Sequence, residues 1–315
     1  MEFTSVTADV EISIVSLRGG PVLDRCLATL ACGCKGLDWR LSLVDNSPAG
    51  LHIEYSRHGI APGVVVRSEG RRGFGGNQNL ALETIVCERR ARYVLILNDD
   101  VELDAHAVTA MVRHADRDPH AGVVGPLVRN ADGSCDPPLL AWPTLANQTV
   151  QCLLPRWEVR ASPRDGWITG SCMLVRTAAL AAVGLFDPRY FLFFEETDLC
   201  RRMTRAGWRV EHCGDASILH QKHQTTKHVG LDITIEQQFL RSRYLYIRKH
   251  YGRLAARSLD GSLRCAFLAR AAKAALEAVL GRVPMRSSPL GTLWALTISR
   301  PSRPTGLEIE AGARQ

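Results

Sequence analysis

The chain lacks any apolar run long enough to cross a membrane as a helix. Its 315 residues contain no stretch of about eighteen or more consecutive apolar residues. The first strand-like segment begins at Val10, and the residues before it do not form the basic and then apolar segment of a secretory signal. We therefore expect a cytoplasmic protein without a transmembrane helix.

Aromatic residues are also scarce, at 6% of the chain, although the formal net charge is +7. No nucleic-acid-binding motif accompanies this charge, so the sequence predicts no nucleic-acid partner. The positive residues concentrate toward the C-terminal end, where they would suit anionic lipid or a phosphorylated acceptor; a solvated helix face is the simpler explanation. They are Arg241, Arg243, Arg248, Lys249, His250, Arg253, Arg257, Arg264, Arg270, Lys273, Arg282 and Arg286.

The sequence lacks the cysteine pattern of a disulfide-rich or zinc-binding domain. Its ten cysteines are scattered, and several, such as Cys172 and Cys200, fall within apolar helix or strand patterns. Such positions favour buried, reduced thiols. Cys32 and Cys34 have no second pair at zinc-finger spacing, which argues against a structural zinc site.

Strand-like and helix-like segments alternate over residues 10–125. This alternation predicts an α/β fold with a mostly parallel sheet flanked by helices on both faces. The expected strands are Val10–Ser16, Trp39–Val44, Gly63–Arg67, Tyr93–Leu97 and Ala121–Gly125. The expected helices are Pro21–Leu30, Gly75–Arg90 and Ala105–Ala115.

Prolines interrupt residues 126–166, which we interpret as a loop-rich insertion that could form part of an acceptor wall. Regular structure is expected again from Gly166, and the tail at 300–315 is expected to be disordered. The expected later elements are the strands Ile168–Val175 and Trp208–Glu211, the helices Thr177–Val183 and Glu196–Ala206, and amphipathic helices at 234–252 and 263–281.

Two adjacent carboxylates follow a strand that is apolar throughout. The segment Tyr93–Leu97 leads directly into Asn98, Asp99 and Asp100. The carboxyl ends of strands in open α/β sheets form ligand sites, and rigid oxygen donors there suit Mg²⁺ or Mn²⁺ bound to a diphosphate. Capping of a helix that starts at Val101 is the structural alternative.

A glycine-rich loop, Gly73–Asn79, opens a predicted helix. Glycines allow a ligand to approach the backbone closely, and the N–H groups at a helix N-terminus favour anions. The loop lacks the Lys-Ser or Lys-Thr of a Walker motif, and a plain helix cap at Asn77 would also explain it. Arg71 and Arg72, just before it, could contact a diphosphate.

Three carboxylates in four residues, Glu195, Glu196 and Asp198, follow Phe193 and Phe194. A carboxylate beside aromatic rings is partly desolvated, which raises its pKa toward the range of a general base. A charged helix start without a catalytic role is the structural alternative.

Taken together, these motifs resemble the inverting GT-A glycosyltransferases of family 2, and within them the rhamnosyltransferase-like enzymes of bacterial cell-surface polysaccharide assembly. The resemblance implies a GT-A-type, Rossmann-like fold with C-terminal amphipathic helices. The segments that carry it are Ile12–Leu30, Leu43–Asn79, Tyr93–Asp104 and Ile168–His220, and the most specific motifs are Gly170–Arg176, Gly184–Asp187 and Phe193–Leu199.

The resemblance implies an inverting, metal-dependent transfer of a sugar from a nucleotide-diphosphate sugar to a hydroxyl group. The suggested donor is dTDP-rhamnose or a UDP-sugar, and the suggested cofactor is Mg²⁺ or Mn²⁺. The acceptor would be a lipid-linked saccharide in cell-surface polysaccharide synthesis or a small molecule in natural-product glycosylation. The sequence leaves open a homodimer and peripheral contact of the basic helices with the inner face of the plasma membrane.

For the donor site, the resemblance implies contacts at the ends of the first strands. Ser16, Leu17 and Arg18 stand where the family has a Thr-Tyr-Asn-like triplet, so Arg18 could instead reach a phosphate, or the segment is a plain turn. Asp45 would accept a hydrogen bond from the base or ribose, with an Asx-turn as the alternative. The other implied donor-binding residues are Arg72, Gly73, Asn77, Asn79, Asn98 and Asp99.

For the chemistry, the resemblance implies that Asp100 is the principal metal ligand and that His220 completes the metal shell. The ion would stabilise charge developing on the diphosphate leaving group. We name Glu195 as the base, because it matches the first residue of the family's acidic pair. Glu196 and Asp198 are then first-turn charges favoured by the helix dipole.

Two other functions are compatible with these motifs. A nucleotidyltransferase also uses carboxylates and a glycine-rich loop, and the departures at Ser16–Arg18 and Asn98 would suit an inactive sugar-nucleotide-binding module. Asp100 and Glu195 favour the active enzyme. The expected domains are a catalytic domain at 1–230, with a nucleotide-sugar half at 1–125 and an acceptor half at 126–230, then a basic helical region at 231–299 and the tail at 300–315.

Overall fold

The computed structural model describes residues 8–279, apart from residues 18, 49, 62, 70, 71, 154–161, 163, 164 and 222–234. Within these residues eight strands form one sheet. They are β1 (Ala8–Ser16), β2 (Trp39–Asp45), β3 (Val64–Arg67), β4 (Ala91–Asn98), β5 (Val101–Leu103), β6 (Ala121–Asn130), β7 (Cys172–Arg176) and β8 (Arg209–His220).

The described residues also form eight helices. They are α1 (Gly20–Gly33), α2 (Gly73–Cys87), α3 (Ala107–Arg117), α4 (Leu145–Leu153), α5 (Thr177–Val183), α6 (Glu195–Arg205), α7 (Ile235–Tyr251) and α8 (Arg253–Val279). A short 3-10 turn lies at Tyr55–His58.

The strand order is β3-β2-β1-β4-β7-β6-β8-β5. The β1–β2, β1–β4, β2–β3 and β6–β8 pairs are parallel, whereas β7 runs antiparallel to β4 and β6, and β5 runs antiparallel to β8. The predicted α/β fold with a mostly parallel sheet is therefore confirmed.

Apolar side chains are buried on both faces of the sheet, because successive strand residues point to opposite sides. On β4, Leu95 and Leu97 belong to the core that includes α1 and α3, whereas Val94 and Ile96 belong to the core that includes α2, α5 and α6. This double burial explains why the segment Tyr93–Leu97 of this strand is apolar throughout.

The parallel strands bring polar residues together at one edge of the sheet. Ser16 at the end of β1 pairs with Asp45 of β2, and Val15 pairs with Asn98 of β4. Asp45 in turn pairs with Arg67 at the end of β3. This is the carboxyl edge, where open α/β sheets bind their ligands.

The structure corrects the sequence interpretation at several elements. Val101–Leu103 forms a strand and the helix begins only at Ala107, since three residues are too few to reveal a strand by periodicity. The strand expected to end at Glu211 continues to His220. The proline-rich region contains the helix α4, whose nine residues include no proline, and α8 begins at Arg253 instead of residue 263.

The chain divides into two compact units. Residues Met1–Trp142 and Arg160–Leu231 form the first, which contains the whole sheet. Residues Pro143–Val159 and Asp232–Gln315 form the second, in which α8 packs against α4 and α7. Among the described helices, none has both the length and the hydropathy needed to cross a bilayer. The tail at 300–315 lies outside the described residues.

A pair of glycine-to-alanine variants tests the packing of α1 against β5. A Cβ atom at Gly33 would lie 2.8 Å from Leu103 Cδ1 and 2.9 Å from its Cβ, so the strand would have to shift. We expect Gly33→Ala to lower the free energy of unfolding by about 1–3 kcal/mol. Gly261→Ala in α8, where nothing lies within 4 Å of the added atom, should raise it by up to about 1 kcal/mol. Urea unfolding measures both, and an unchanged Gly33→Ala protein would contradict the close packing.

Candidate active site

Asp99 and Asp100 form the turn between β4 and β5, and both are buried, with 6% and 5% of their surface exposed. The Ser16 hydroxyl donates a hydrogen bond to Asp99 Oδ2 at 2.7 Å. The Asn98 N–H donates to the carbonyl of Ser171 at 2.9 Å. Burying carboxylates is costly unless charge or hydrogen bonds compensate, so this turn favours a bound cation.

The β5–β8 ladder brings His220 to Asp100. Val101 pairs with His220, and the Gln221 N–H donates to the Asp100 carbonyl at 3.1 Å. As a result, His220 Nε2 lies 3.3 Å from Asp100 Oδ1. Asp100 Oδ1, His220 Nδ1 and Asn98 Oδ1 are buried and make no hydrogen bond within the described residues.

The Asp100 and His220 pair fits a divalent ion that takes its other ligands from water and substrate. Within the described part of the chain, no group of three or more His, Cys, Asp or Glu side chains could hold a metal ion. Mg²⁺ commonly binds through one or two carboxylates together with substrate phosphates, so the orphaned Asp100 oxygen suits it. His223, a second histidine close to His220 in the chain, lies outside the described residues.

The Asp45 carboxylate is held in place by hydrogen bonds from neighbouring residues. Its carboxylate accepts hydrogen bonds from the Ser47 hydroxyl and N–H at 2.6 and 2.9 Å, from the Leu51 N–H at 3.0 Å and from Arg67 at 2.6 Å. Burial opposes ionisation, but the hydrogen bonds, led by that from the Ser47 hydroxyl, lower the pKa of Asp45. Four donors use the acceptor capacity of a carboxylate, so a nucleotide contact would have to displace one of them.

The glycines at the start of α2 admit the segment that precedes α6. Gly73 has a φ of +72°, and a Cβ atom there would lie 2.0 Å from the Phe191 carbonyl oxygen. A Cβ atom at Gly75 would lie 2.9 Å from Phe186 Cβ and 3.4 Å from Glu195 Cβ. Close packing against the acidic segment therefore explains these two glycines without a phosphate.

The two asparagines of this loop are engaged within the protein. Asn79 Nδ2 donates to the Phe186 carbonyl at 2.8 Å, and its Oδ1 accepts from the Phe186 N–H at 3.1 Å. Asn77 Oδ1 accepts from the Ser68 hydroxyl at 2.5 Å. Arg72 is exposed at the loop. Of these predicted donor contacts, Arg72 is the one whose side chain faces solvent.

Asp198 anchors α6 to the preceding turn. Its fully buried carboxylate accepts a hydrogen bond from Arg202 Nε at 2.9 Å. The Arg202 guanidinium also donates to the carbonyls of Val183, Gly184 and Leu185 at 2.6–2.9 Å. This network occupies Asp198, so the geometry gives it a structural role in holding the helix.

Glu195 and Glu196 share the first turn of α6 but differ in environment. Glu195 is 5% exposed, and burial together with the neighbouring Glu196 raises its pKa well above the usual range. Glu196 is partly exposed, and burial raises its pKa to about 7. The Oε2 atom of each makes no hydrogen bond within the described residues. Both carboxyl groups therefore hold a proton more strongly than an ordinary glutamate does.

The segment Thr169–Ser171 links the metal-site candidates to the acidic pair. The Ser171 carbonyl accepts the Asn98 N–H, as described above, and the Thr169 and Ser171 hydroxyls lie 3.1 Å apart. A Cβ atom on Gly170 would lie 3.5 Å from Glu196 Cβ. One short segment therefore contacts both parts of the candidate site.

The structure brings Ser16, Asn98, Asp99, Asp100 and His220 together, as their positions at strand ends suggest. Arg18 lies outside the described residues. Sequence reasoning missed contributors in three segments: Arg67, Ser171 and Phe191. Arg67 could have been found from its place at the end of β3, whereas the other two act through backbone carbonyls, for which the sequence carries no signal.

A family model described as "Glycosyltransferase like family 2" matches residues 12–241. The chain is 36% identical over 148 residues to an N-acetylglucosaminyl-diphospho-decaprenol L-rhamnosyltransferase of Mycobacterium tuberculosis, over 42% of this chain and 48% of the relative. It is 26% identical over 200 residues to rhamnosyltransferase WbbL of Escherichia coli, over 60% of this chain and 75% of the relative. The chain thus spans about half the length of the mycobacterial relative.

Among solved structures, the fold resembles that of GalNAc-T7, crystallised with UDP, GalNAc and Mn²⁺. The TM-score is 0.53 at 14% identity, over 77% of this chain and 48% of that one. At this identity the similarity concerns the fold alone. It confirms the GT-A-type architecture that the sequence motifs predicted.

The raised pKa of Glu196 predicts a pH-dependent stability. A carboxyl whose folded pKa of about 7 exceeds its unfolded value of 4.5 favours folding below pH 4.5, and this contribution is lost as the pH rises through 7. Glu196→Gln cannot ionise, so it should be more stable than the parent by about 1–3 kcal/mol at high pH and similar to it at low pH.

Thermal unfolding between acidic and mildly basic pH measures this difference. Glu88→Gln is the matched control, because its side chain is 63% exposed and should show no such pH dependence. If Glu196→Gln is no more stable than the parent at basic pH, the Glu196 carboxylate must be well solvated in the folded protein.

Proposed function

Because this chain belongs to glycosyltransferase family 2, we propose that it is an inverting transferase that takes a sugar from a nucleotide-diphosphate donor to a hydroxyl group. The observation that carries the proposal is the buried Asp99–Asp100 turn, linked through Thr169–Ser171 to the Glu195 and Glu196 pair. The Asp99–Asp100 turn suits the diphosphate leaving group, and the Glu195 and Glu196 pair suits the acceptor hydroxyl. Both requirements of a displacement at the anomeric carbon are therefore represented.

Mg²⁺ or Mn²⁺ would be held by Asp100 and His220, with Asp99 and Asn98 beside it. Support comes from the orphaned Asp100 and Asn98 oxygens and from the 3.3 Å approach of His220. Mn²⁺ is present with UDP in the crystal structure of GalNAc-T7, whose fold is similar. When bound, such an ion supplies positive charge that stabilises a departing diphosphate.

Other residues of the chain would orient the metal ligands and bind the donor. Ser16 orients Asp99 through its hydroxyl, and the β5–β8 ladder fixes the His220 ring beside Asp100. Arg67, 45% exposed at the sheet edge, is available to a nucleotide, and Arg72 is exposed at the neighbouring loop. Both cations would complement a diphosphate.

The acidic pair supplies the base. The sequence motif predicts Glu195 as the base, but the low exposure and raised pKa of Glu195 favour its protonated form, which cannot accept a proton. Glu196, partly exposed and with a pKa of about 7, matches the requirements of a base near neutral pH. We therefore assign proton removal to Glu196, whose pKa is raised by burial.

The names of two relatives support a choice of donor sugar and acceptor. The mycobacterial relative is named as a rhamnosyltransferase acting on an N-acetylglucosaminyl-diphospho-decaprenol, and the relative of Escherichia coli is also named as a rhamnosyltransferase. For this chain we propose dTDP-rhamnose, or else a UDP-sugar, as donor and a lipid-diphosphate-linked saccharide as acceptor. That acceptor would place the enzyme at the inner face of the plasma membrane.

Replacement of Asp100 tests the metal and donor site. Asp100→Asn keeps the side-chain volume but removes the charge that attracts the cation, so Mn²⁺-dependent stabilisation by dTDP- and UDP-sugars should disappear. A thermal-shift panel of nucleotide sugars with and without Mn²⁺ measures this, and the parent protein ranks the donors.

Asp104→Asn is the matched control, because Asp104 lies nearby in sequence but its side chain is 41% exposed and pairs with Arg129. It should keep the Mn²⁺-dependent shift. An Asp100→Asn protein with a normal shift would remove Asp100 from the metal shell.

Replacement of the two glutamates separates their roles. Glu196→Gln should lower kcat by about 10²–10⁴-fold while leaving donor binding intact, whereas Glu195→Gln should cost less. In the parent, kcat/KM should fall as the pH drops below about 7, because the base must be ionised. Glu88→Gln serves as the unaffected control.

Steady-state kinetics over a range of pH provide the measurement. Near-normal turnover by Glu196→Gln, together with inactivity of Glu195→Gln, would return the role of base to Glu195.

A further inference from the structure

The helix α8 carries an apolar face that points to solvent. Of the six large apolar side chains that are most exposed among the described residues, three lie on this helix: Leu254, Leu268 and Leu276, at 77%, 64% and 59% exposure. Helical spacing places Gly261, Cys265 and Ala272 on the same side, and these residues are exposed too. We call these six positions the leucine face.

The opposite side of α8 is buried against other helices of its unit. Ala256, Leu259 and Ala266 are buried at 0–6% exposure, and they lie about half a turn from the leucine face. The helix packs against α4 and α7 within its own unit. Packing with these neighbours therefore accounts for the buried side and leaves the leucine face without a partner in the described residues.

Arginines border the leucine face along one edge. Arg253, Arg257 and Arg264 are exposed, and helical spacing places all three next to the leucine face on the same side of it. Over its whole length α8 has five basic and two acidic residues, and one of the acids, Asp260, pairs with Arg264. An apolar strip with a basic border is complementary to an anionic lipid surface, where leucines enter the acyl boundary and arginines contact headgroups.

We propose that the leucine face of α8 is a docking surface for an anionic lipid bilayer, with the helix lying in the plane of the interface. From Leu254 to Leu276 the face extends about 33 Å, which is too long and too evenly spaced for a single small ligand. The leucines would insert into the acyl region of the bilayer, and Arg257 and Arg264 would make the helix prefer negatively charged lipids. The inference rests on the proposed function only in that a lipid-linked acceptor is presented at such a surface.

Vesicle co-sedimentation of the full chain tests this proposal. The protein should bind vesicles that contain about one third phosphatidylglycerol in preference to pure phosphatidylcholine, and about 1 M salt should weaken the binding several-fold. Leu268→Glu with Leu276→Glu should lower the partition coefficient on anionic vesicles at least about tenfold. Arg257→Gln with Arg264→Gln should remove the preference for anionic lipid.

Val64→Glu with Val65→Glu is the matched control, because it adds the same charge to two other exposed apolar residues, 43% and 48% exposed on β3. It should bind vesicles like the parent. Thermal unfolding checks that every variant folds, and the Mn²⁺-dependent donor shift, measured on the same samples, reports the proposed function separately.

Three outcomes would overturn the proposal. The parent protein could fail to bind anionic vesicles, or the double leucine variant could bind them as well as the control. Light scattering could also reveal a dimer of the parent that the double leucine variant dissociates, which would make the leucine face a contact between two copies of the chain. Loss of the donor shift with intact vesicle binding would instead count against the proposed function alone.

Discussion

The pairing of β5 with β8 is the interaction on which the candidate site depends. It joins the residue after Asp100 to His220, more than a hundred residues later, and so sets a carboxylate and an imidazole 3.3 Å apart. The Gly33 side of α1 packs directly on Leu103 of the same strand. A three-residue strand at the edge of the sheet therefore transmits core packing to the candidate metal ligands, and any slip in its register would separate them.

Carboxylates at the site are divided into two classes by their surroundings. Asp45 receives four hydrogen bonds and its pKa is lowered, so it stays charged and holds the end of β2 in place. Glu195 is buried and its neighbour Glu196 is partly exposed, and the pKa values of both are raised. Displacement chemistry needs both classes, since fixed charge organises the donor side and a group that can change its protonation state serves the acceptor side.

The two units of the chain present different kinds of surface. The sheet unit concentrates polar, partly unsatisfied groups at one edge, whereas the helical unit exposes leucines bordered by arginines on α8. A transferase that acts on a lipid-linked acceptor has to handle a water-soluble donor and a membrane-bound acceptor. Under the proposed function the first surface would receive the donor and the second would face the membrane, and each role can be tested without the other.

The sequence by itself predicted most of the strands, the main helices and the family. The apolar run of β4 and the acidic turn after it are local signals, because a doubly covered strand must be apolar throughout and parallel strands must end at a common edge. Only the tertiary structure shows the environment and the contacts of each candidate site residue. In it Asp198 and Asn79 are engaged in internal hydrogen bonds, two glycines allow close packing, and burial raises the pKa values of Glu195 and Glu196. Burial, strand register and hydrogen-bond partners join residues far apart in the chain, and no local pattern of amino acids records them.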